Sequence, residues 1–78
     1  MKYPDGQQVK LGDGVQFGAN GPSGRVVGIV DADEYEGDFR ATEWSYLATG
    51  VLIESDKYGL IHFPSELDSD IVLVSRAT

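Results

Sequence analysis

Apolar and polar residues alternate over several short segments of the chain, and turn-forming residues separate these segments. Val15 and Phe17 share one parity in the first of them, and a period of two is typical of a strand with one buried face. Asp-Gly and Asn-Gly-Pro sequences at residues 5–6, 13–14 and 20–22 favour turns, because Gly and Asn tolerate positive φ and Pro restricts its own φ. The pattern therefore predicts short strands joined by tight turns.

The next segment, residues 25–31, is apolar at both parities, which indicates that both of its faces are covered. Gly28 lies in the middle of it, and a glycine inside a strand often marks a bulge, a bend or a close approach of backbone. The candidate cover for the outer face is the segment that follows, residues 31–50. We therefore expect this insertion to fold back over the strand.

The second half of the insertion, residues 41–50, predicts one or two helical turns. Thr42 is a candidate N-cap, and Gly50 can end the helix in the left-handed conformation. Trp44 and Leu47 lie three residues apart and share a face of such a helix. We expect Trp44 to belong to the core, because tryptophan is highly buried on average.

A hairpin follows, with strands at residues 51–54 and 58–63 around a turn at residues 55–57, and residues 71–75 form a last apolar strand. The fold class predicted is mainly β: a small barrel of five to six strands with one short helical insertion, in a single domain over residues 1–78. The strand residues predicted to form the core are Val51, Ile53, Ile61, Phe63, Leu73 and Val74.

Two parts of the chain resemble known proteins. The pattern of glycines and alternating residues at positions 12–15 and 24–30 resembles the opening of SH3-like barrels, including KOW-type and Tudor-type domains. This resemblance implies an SH3-like barrel that binds a partner. Residues 43–62 are similar to short bacterial proteins, some of which are immunity partners of secreted toxins. That resemblance implies an inhibitor of a toxin.

The net charge of the chain indicates which classes of partner it can bind. Thirteen acidic and six basic residues give a net charge of -7, which disfavours nucleic acid and anionic membranes, because both are bound through Lys and Arg. An acidic surface matches a basic protein, although acidity also serves solubility alone. No segment has the roughly 20 apolar residues of a membrane helix, and no signal-peptide layout is present. We therefore expect a cytoplasmic protein that does not enter membranes.

The sequence contains no pattern that is typical of a catalytic site or of a metal site. His62 is the one histidine and lies within a predicted strand, and no nucleophile motif accompanies it. The acidic segment 31–38 lacks the EF-hand pattern, and the absence of cysteine excludes disulfides and thiolate metal sites. We expect a protein that is not an enzyme and that holds no metal or cofactor.

The acidic and aromatic residues of the insertion are the candidate partner-binding site. Tyrosine is enriched in interface hot spots, and carboxylates around it attract basic partners. We expect Tyr35, flanked by charges, to be exposed. The candidate residues are Asp33, Glu34, Tyr35, Glu36, Asp38 and Tyr46.

These features favour a protein-binding module. In its most concrete form the module is an immunity protein that blocks a basic toxin such as a nuclease, with carboxylates in place of the phosphates that the toxin binds. Two alternatives remain open: a KOW-like domain associated with nucleic acid or ribosomes, and a structural subunit that self-associates through the edges of its sheet.

Overall fold

The computed structural model describes residues 1–37, 39–40 and 44–76. Six strands account for most of its regular structure, and short turns connect most of them. They are β1 (Gly14–Phe17), β2 (Ser23–Ile29), β3 (Glu34–Tyr35), β4 (Val51–Ser55), β5 (Gly59–Phe63) and β6 (Ile71–Ser75). The prediction of a mainly β fold with five to six strands is confirmed.

The six strands form one antiparallel sheet. Five of them lie in the order β5-β4-β2-β1-β6, while the short β3 pairs with the far end of β2. The two strands at the ends of this order, β5 and β6, do not pair with each other within the described residues. The sheet is therefore not closed into the barrel that the sequence predicted. Within the same residues, no helix is long and apolar enough to cross a bilayer.

The main core lies on the inner face of the sheet. Alternating strand residues reach it, together with residues from the N-terminal segment and from the connection between β5 and β6. Its buried members are Tyr3, Val9, Val15, Val26, Ile29, Val51, Ile53, Phe63, Leu67 and Ile71. Of the core residues predicted from the sequence, Val51, Ile53 and Phe63 are buried, and Ile61 and Leu73 are half-buried at its margin.

Val74 is the exception, because its side chain is 63% exposed. The register between β1 and β6 shifts here: Val15 pairs with Leu73, whereas Gly14 pairs with Ser75. Val74 is thus the extra residue of a bulge, and it lies on the face opposite to the half-buried Leu73, as alternation along a strand requires. Placing Val74 in the core was wrong because two neighbouring residues of one strand, Leu73 and Val74, were both expected to face inward.

A second apolar cluster lies on the outer face of the sheet. Val27, Val30 and Leu52 are buried there, and half-buried side chains of the insertion pack against them: Tyr35, Phe39, Trp44 and Leu47. Val26 faces the inner side and Val27 the outer side, and the bulge between Val26 and Gly28 returns Ile29 to the inner face. The expectations that Gly28 marks a bulge, that the insertion covers β2 and that Trp44 belongs to a core are confirmed.

The insertion is not helical in the way predicted. Within the described residues it contains two 3₁₀ turns, Val30–Ala32 and Ser45–Leu47, in place of an α-helix. Thr42, the predicted N-cap, lies outside the described residues. Gly50 has the expected positive φ, +101°, but this glycine leads directly into β4.

A buried carboxylate joins the two ends of the chain. Asp13 is fully buried and accepts hydrogen bonds from the Tyr3 hydroxyl at 2.6 Å, the Lys10 amide at 2.9 Å and Arg76 Nη1 at 3.0 Å. Arg76 also donates to the Gln8 carbonyl oxygen. Buried charges require such partners, so Asp13 fastens the N-terminal segment and the residue after β6 to the start of β1.

Candidate protein-binding surface

The first half of the insertion is a tight hairpin on the outer side of β2. After the first 3₁₀ turn, Asp33 takes the left-handed conformation with φ of +56°, which aspartate tolerates better than most residues. The chain then reverses, and β3 pairs with β2 through Gly28 and Tyr35 and through Ile29 and Glu34. This local geometry places Glu34 and Glu36 directly beside β2.

Gly28 allows this close approach. A side-chain carbon at this position would lie 3.1 Å from both Leu52 and Tyr35, which is closer than ordinary van der Waals contact. The tyrosine ring can therefore pack over the backbone of β2 and reach the outer cluster. Tyr35 is half-buried, and its hydroxyl has no hydrogen-bond partner within the described residues.

Tyr35 therefore does not stand out as the exposed contact that the sequence suggested. Burial raises the pKa of its hydroxyl, and the nearby charge of Asp33 raises that pKa further. Side chains of the outer cluster cover much of its ring because β3 carries it against β2. In this structure Tyr35 holds the hairpin on the sheet.

Where the hairpin leaves the sheet, a groove of about 480 Å³ opens on the outer face. We call it the outer groove. Its lining combines apolar side chains from the strand and the insertion with charged side chains of both signs. The lining residues are Arg25, Val27, Glu36, Gly37, Phe39 and Glu54.

The charged residues of the outer groove come from the strands β2 and β4 and from the insertion. Arg25 of β2 forms an ion pair with Glu36 of the insertion, and this contact raises the pKa of Arg25. Glu54 of β4 is the cross-strand neighbour of Arg25 and makes no ion pair within the described part of the chain. The groove thus already holds one guanidinium group and presents a second carboxylate to solvent.

The predicted site residues separate into three groups. Glu36 lines the groove, while Asp33 and Glu34 are exposed on the adjoining hairpin. Tyr46 is 76% exposed, on the second 3₁₀ turn, and is not part of the groove lining. Asp38 lies outside the described residues.

Sequence reasoning missed two charged residues of the groove, Arg25 and Glu54. They are 29 positions apart, and their proximity depends on the register of β2 against β4, in which a bulge intervenes. Opposite charges at the ends of two adjacent predicted strands were the available signal. That signal could not be used without the register.

The other candidate positions have local structural roles. His62 Nε2 donates to the Thr49 carbonyl oxygen at 2.9 Å, which ties β5 to the end of the insertion. Asp31 Oδ1 accepts a hydrogen bond from the Gly50 amide. Among the residues that the structure describes, no three His, Asp or Glu side chains are grouped closely enough to hold a metal ion.

Comparisons with protein-family models, with curated proteins and with solved structures found no match to this chain. The function therefore has to be argued from the surface itself.

Proposed function

We propose that this chain is a non-catalytic protein-binding module that binds a basic protein through the outer groove and the acidic hairpin beside it. The observation that carries the proposal is the combination of an apolar groove floor, Val27 and Phe39, with carboxylates at its rim. Such a floor accommodates the aliphatic stem of an arginine or lysine, and the carboxylates bind its charged end.

The ion pair inside the groove supports this mode of binding. Arg25 shows that a guanidinium group fits beside Glu36. Glu54, on the opposite side of Arg25, is exposed and available to a second cation. An arginine of the partner would pair with Glu54 and lie across Phe39, where the aromatic ring adds a cation–π contribution.

The charge of the whole surface favours a basic partner. Among the described residues, nine acidic side chains are exposed: Asp5, Asp31, Asp33, Glu34, Glu54, Asp56, Glu66, Asp68 and Asp70. Two of the six basic residues, Arg25 and Arg76, already form ion pairs with carboxylates. A surface of this kind speeds the encounter with a basic protein and repels nucleic acid.

We further propose an SH3-like scaffold and an inhibitory role for this module. The strand order, in which β6 returns to lie beside β1, is consistent with an SH3-like arrangement. Carboxylates at the rim of the groove can take the place of substrate phosphates in a basic nuclease. The most concrete form of the function is therefore an immunity protein that occludes such a toxin.

The test uses affinity capture from bacterial lysate with three immobilised baits: wild type, a groove variant (Glu36→Gln with Glu54→Gln) and a control variant (Asp68→Asn with Asp70→Asn). Both variants lose two negative charges, but the control changes lie in the connection to β6. We expect a basic protein to bind wild type and control and to be lost from the groove variant. The captured protein is then purified and its binding is measured by calorimetry.

Equal binding of that protein to all three baits would overturn the groove as the interface. Equal loss from both variants would show attraction by general charge without a site. Titration with single-stranded RNA at low salt tests the KOW-like alternative, because phosphate contacts are strongest there.

A further inference from the structure

The sheet has two outer edges, and only one of them is protected against pairing. The edge of β6 carries the bulge at Val74, and bulges disrupt further pairing. In addition, the N-terminal turn lies beside it: Tyr3, Pro4 and Asp5 face the first three residues of β6 across a gap of only about 100 Å³. This edge is therefore blunted and partly covered.

The edge of β5 has neither form of protection. Its register with β4 is regular over all five residues, from Ser55 opposite Gly59 to Val51 opposite Phe63. No strand pairs with its other side within the described residues. The strand contains no Asp, Glu, Lys, Arg or Pro, which are the residues that natural edge strands use to prevent association.

Exposed apolar side chains accompany this edge. Leu60 of β5 is 36% exposed, and Tyr58, which precedes the strand, is 56% exposed. The rings of Tyr58 and Phe17 pack in an edge-to-face arrangement with centroids 5.7 Å apart. An uncharged, regular edge with apolar neighbours is the arrangement that pairs with another strand.

We propose that β5 pairs with β5 of a second copy of this chain, in antiparallel orientation about a two-fold axis at Ile61. This register places Leu60 opposite His62 of the second copy and Gly59 opposite Phe63, so that a small residue faces a large one at both ends. Two-fold interfaces use the same patch on both copies, and this strand is complementary to itself.

Charge explains why a second copy fits here in spite of the net charge of -7. No acidic residue lies between Lys57 and Ser65, so the paired strands bring no carboxylates together. In this register Lys57 lies opposite Ser65 of the second copy, and the exposed Asp56 and Glu66 follow beyond the paired strands. Glu54 of the outer groove is the cross-strand neighbour of Leu60 on β4, so it lies one strand away from the second copy.

The test is sedimentation equilibrium of wild type, Leu60→Glu and Val72→Glu over about 10 to 500 µM, a range suited to a small interface. The two variants gain the same charge at exposed apolar positions of opposite edge strands. We expect wild type to dimerise, Leu60→Glu to weaken the dimer at least about tenfold and Val72→Glu to leave it unchanged. Circular dichroism verifies that each variant folds.

The dependence of dimerisation on salt concentration is a second test of the proposal. Dimerisation should strengthen between about 50 and 500 mM NaCl, because salt screens the repulsion between two acidic molecules. Binding of a basic partner at the outer groove should weaken over the same range. The groove variant Glu36→Gln with Glu54→Gln should still dimerise, so the two proposals can fail separately.

Amide hydrogen exchange of the wild-type protein tests the same dimer without any variant, and therefore applies even if Leu60→Glu fails to fold. In wild type, the amide protection of residues 59–63 should rise with protein concentration, while that of residues 71–75 should stay constant. A monomer at all concentrations and salt levels would overturn the proposal. So would a dimer that Val72→Glu weakens as much as Leu60→Glu, because the contact would then involve the other edge.

Discussion

At the scale of single residues, Asp13 is the most constrained position of the chain. Its buried carboxylate accepts hydrogen bonds from a tyrosine hydroxyl, a backbone amide and a guanidinium group. These donors come from the N-terminal segment and from the residue after the last strand. One side chain therefore couples parts of the chain that are far apart in sequence.

We predict that Asp13→Asn lowers the free energy of unfolding by about 2–4 kcal/mol, because it leaves the Arg76 charge without its partner and turns an acceptor into a donor. Urea denaturation measures this change. Asp68→Asn makes the same chemical change at an exposed position and should alter stability by less than about 0.5 kcal/mol. Equal effects of the two variants would contradict the structural role of Asp13.

Because Tyr3 belongs to the hydrogen-bond network of Asp13, the stability of the protein should depend on pH in the alkaline range. Burial and the hydrogen bond to the Asp13 carboxylate raise the pKa of the Tyr3 hydroxyl above its ordinary value. The folded protein therefore holds this proton to higher pH than the unfolded chain does. The resulting stabilisation is complete below the unfolded pKa of about 10 and is lost as pH rises above it.

The expected result is a steeper loss of stability above pH of about 10 for wild type than for Tyr3→Phe, which has no proton to lose there. Urea midpoints measured from neutral to alkaline pH provide the comparison. Tyr35→Phe serves as a second control, since the pKa of Tyr35 is also raised. Parallel curves for wild type and Tyr3→Phe would show that Tyr3 is not the group responsible.

At the scale of elements, the insertion between β2 and β4 is held at both of its ends by one glycine. The Gly50 amide donates to Asp31 Oδ1, and the Val30 amide donates to the Gly50 carbonyl oxygen. A side-chain carbon on Gly50 would clash with the Phe63 carbonyl oxygen. The closure of the insertion therefore requires glycine on steric grounds as well as for its positive φ.

Gly50→Ala should destabilise the protein by more than Gly6→Ala does. Both glycines have φ near the same positive value, +101° and +94°, but a side-chain carbon at Gly6 meets nothing within 4 Å. We expect a loss of about 1–3 kcal/mol from backbone strain at either site and a further loss from the clash at Gly50 alone. Thermal denaturation of both variants tests this, and equal losses would show that the close contact does not matter.

At the scale of the whole molecule, charge works against stability. The chain carries a net charge of -7, and the structure shows two ion pairs within the described residues. Repulsion among exposed carboxylates destabilises a compact state. The acidic surface that we propose for partner binding is thus maintained at a cost in folding free energy.

Added salt screens the repulsion between the carboxylates and should therefore stabilise the folded state. We predict that raising NaCl from about 20 to 500 mM increases Tm by about 2–5 °C. A variant with Glu66→Lys and Asp68→Lys loses two negative charges and gains two positive ones, which changes the net charge from -7 to -3. It should show a smaller increase, and an equal increase would attribute the effect to salt binding or to general salt effects.

The sequence by itself determined five of the six strands, all except the short β3, together with the turns between them and the presence of a covered outer face on β2. These features depend on local periodicity and on the conformational preferences of glycine, asparagine and proline, which neighbouring residues already specify. The bulge at Gly28 and the packing of Trp44 could be predicted for the same reason. The acidic hairpin was also recognisable as a candidate surface from its composition.

Only the tertiary structure decided how these elements combine. The bulge between Val26 and Gly28 changes which side chains of β2 face inward, because a shift of one residue exchanges the two faces of a strand. The pairing of Asp13 with Arg76 and the outer groove between Arg25, Glu36 and Glu54 join residues distant in sequence. Local preferences carry no information about such contacts, because register and packing are set by the whole sheet.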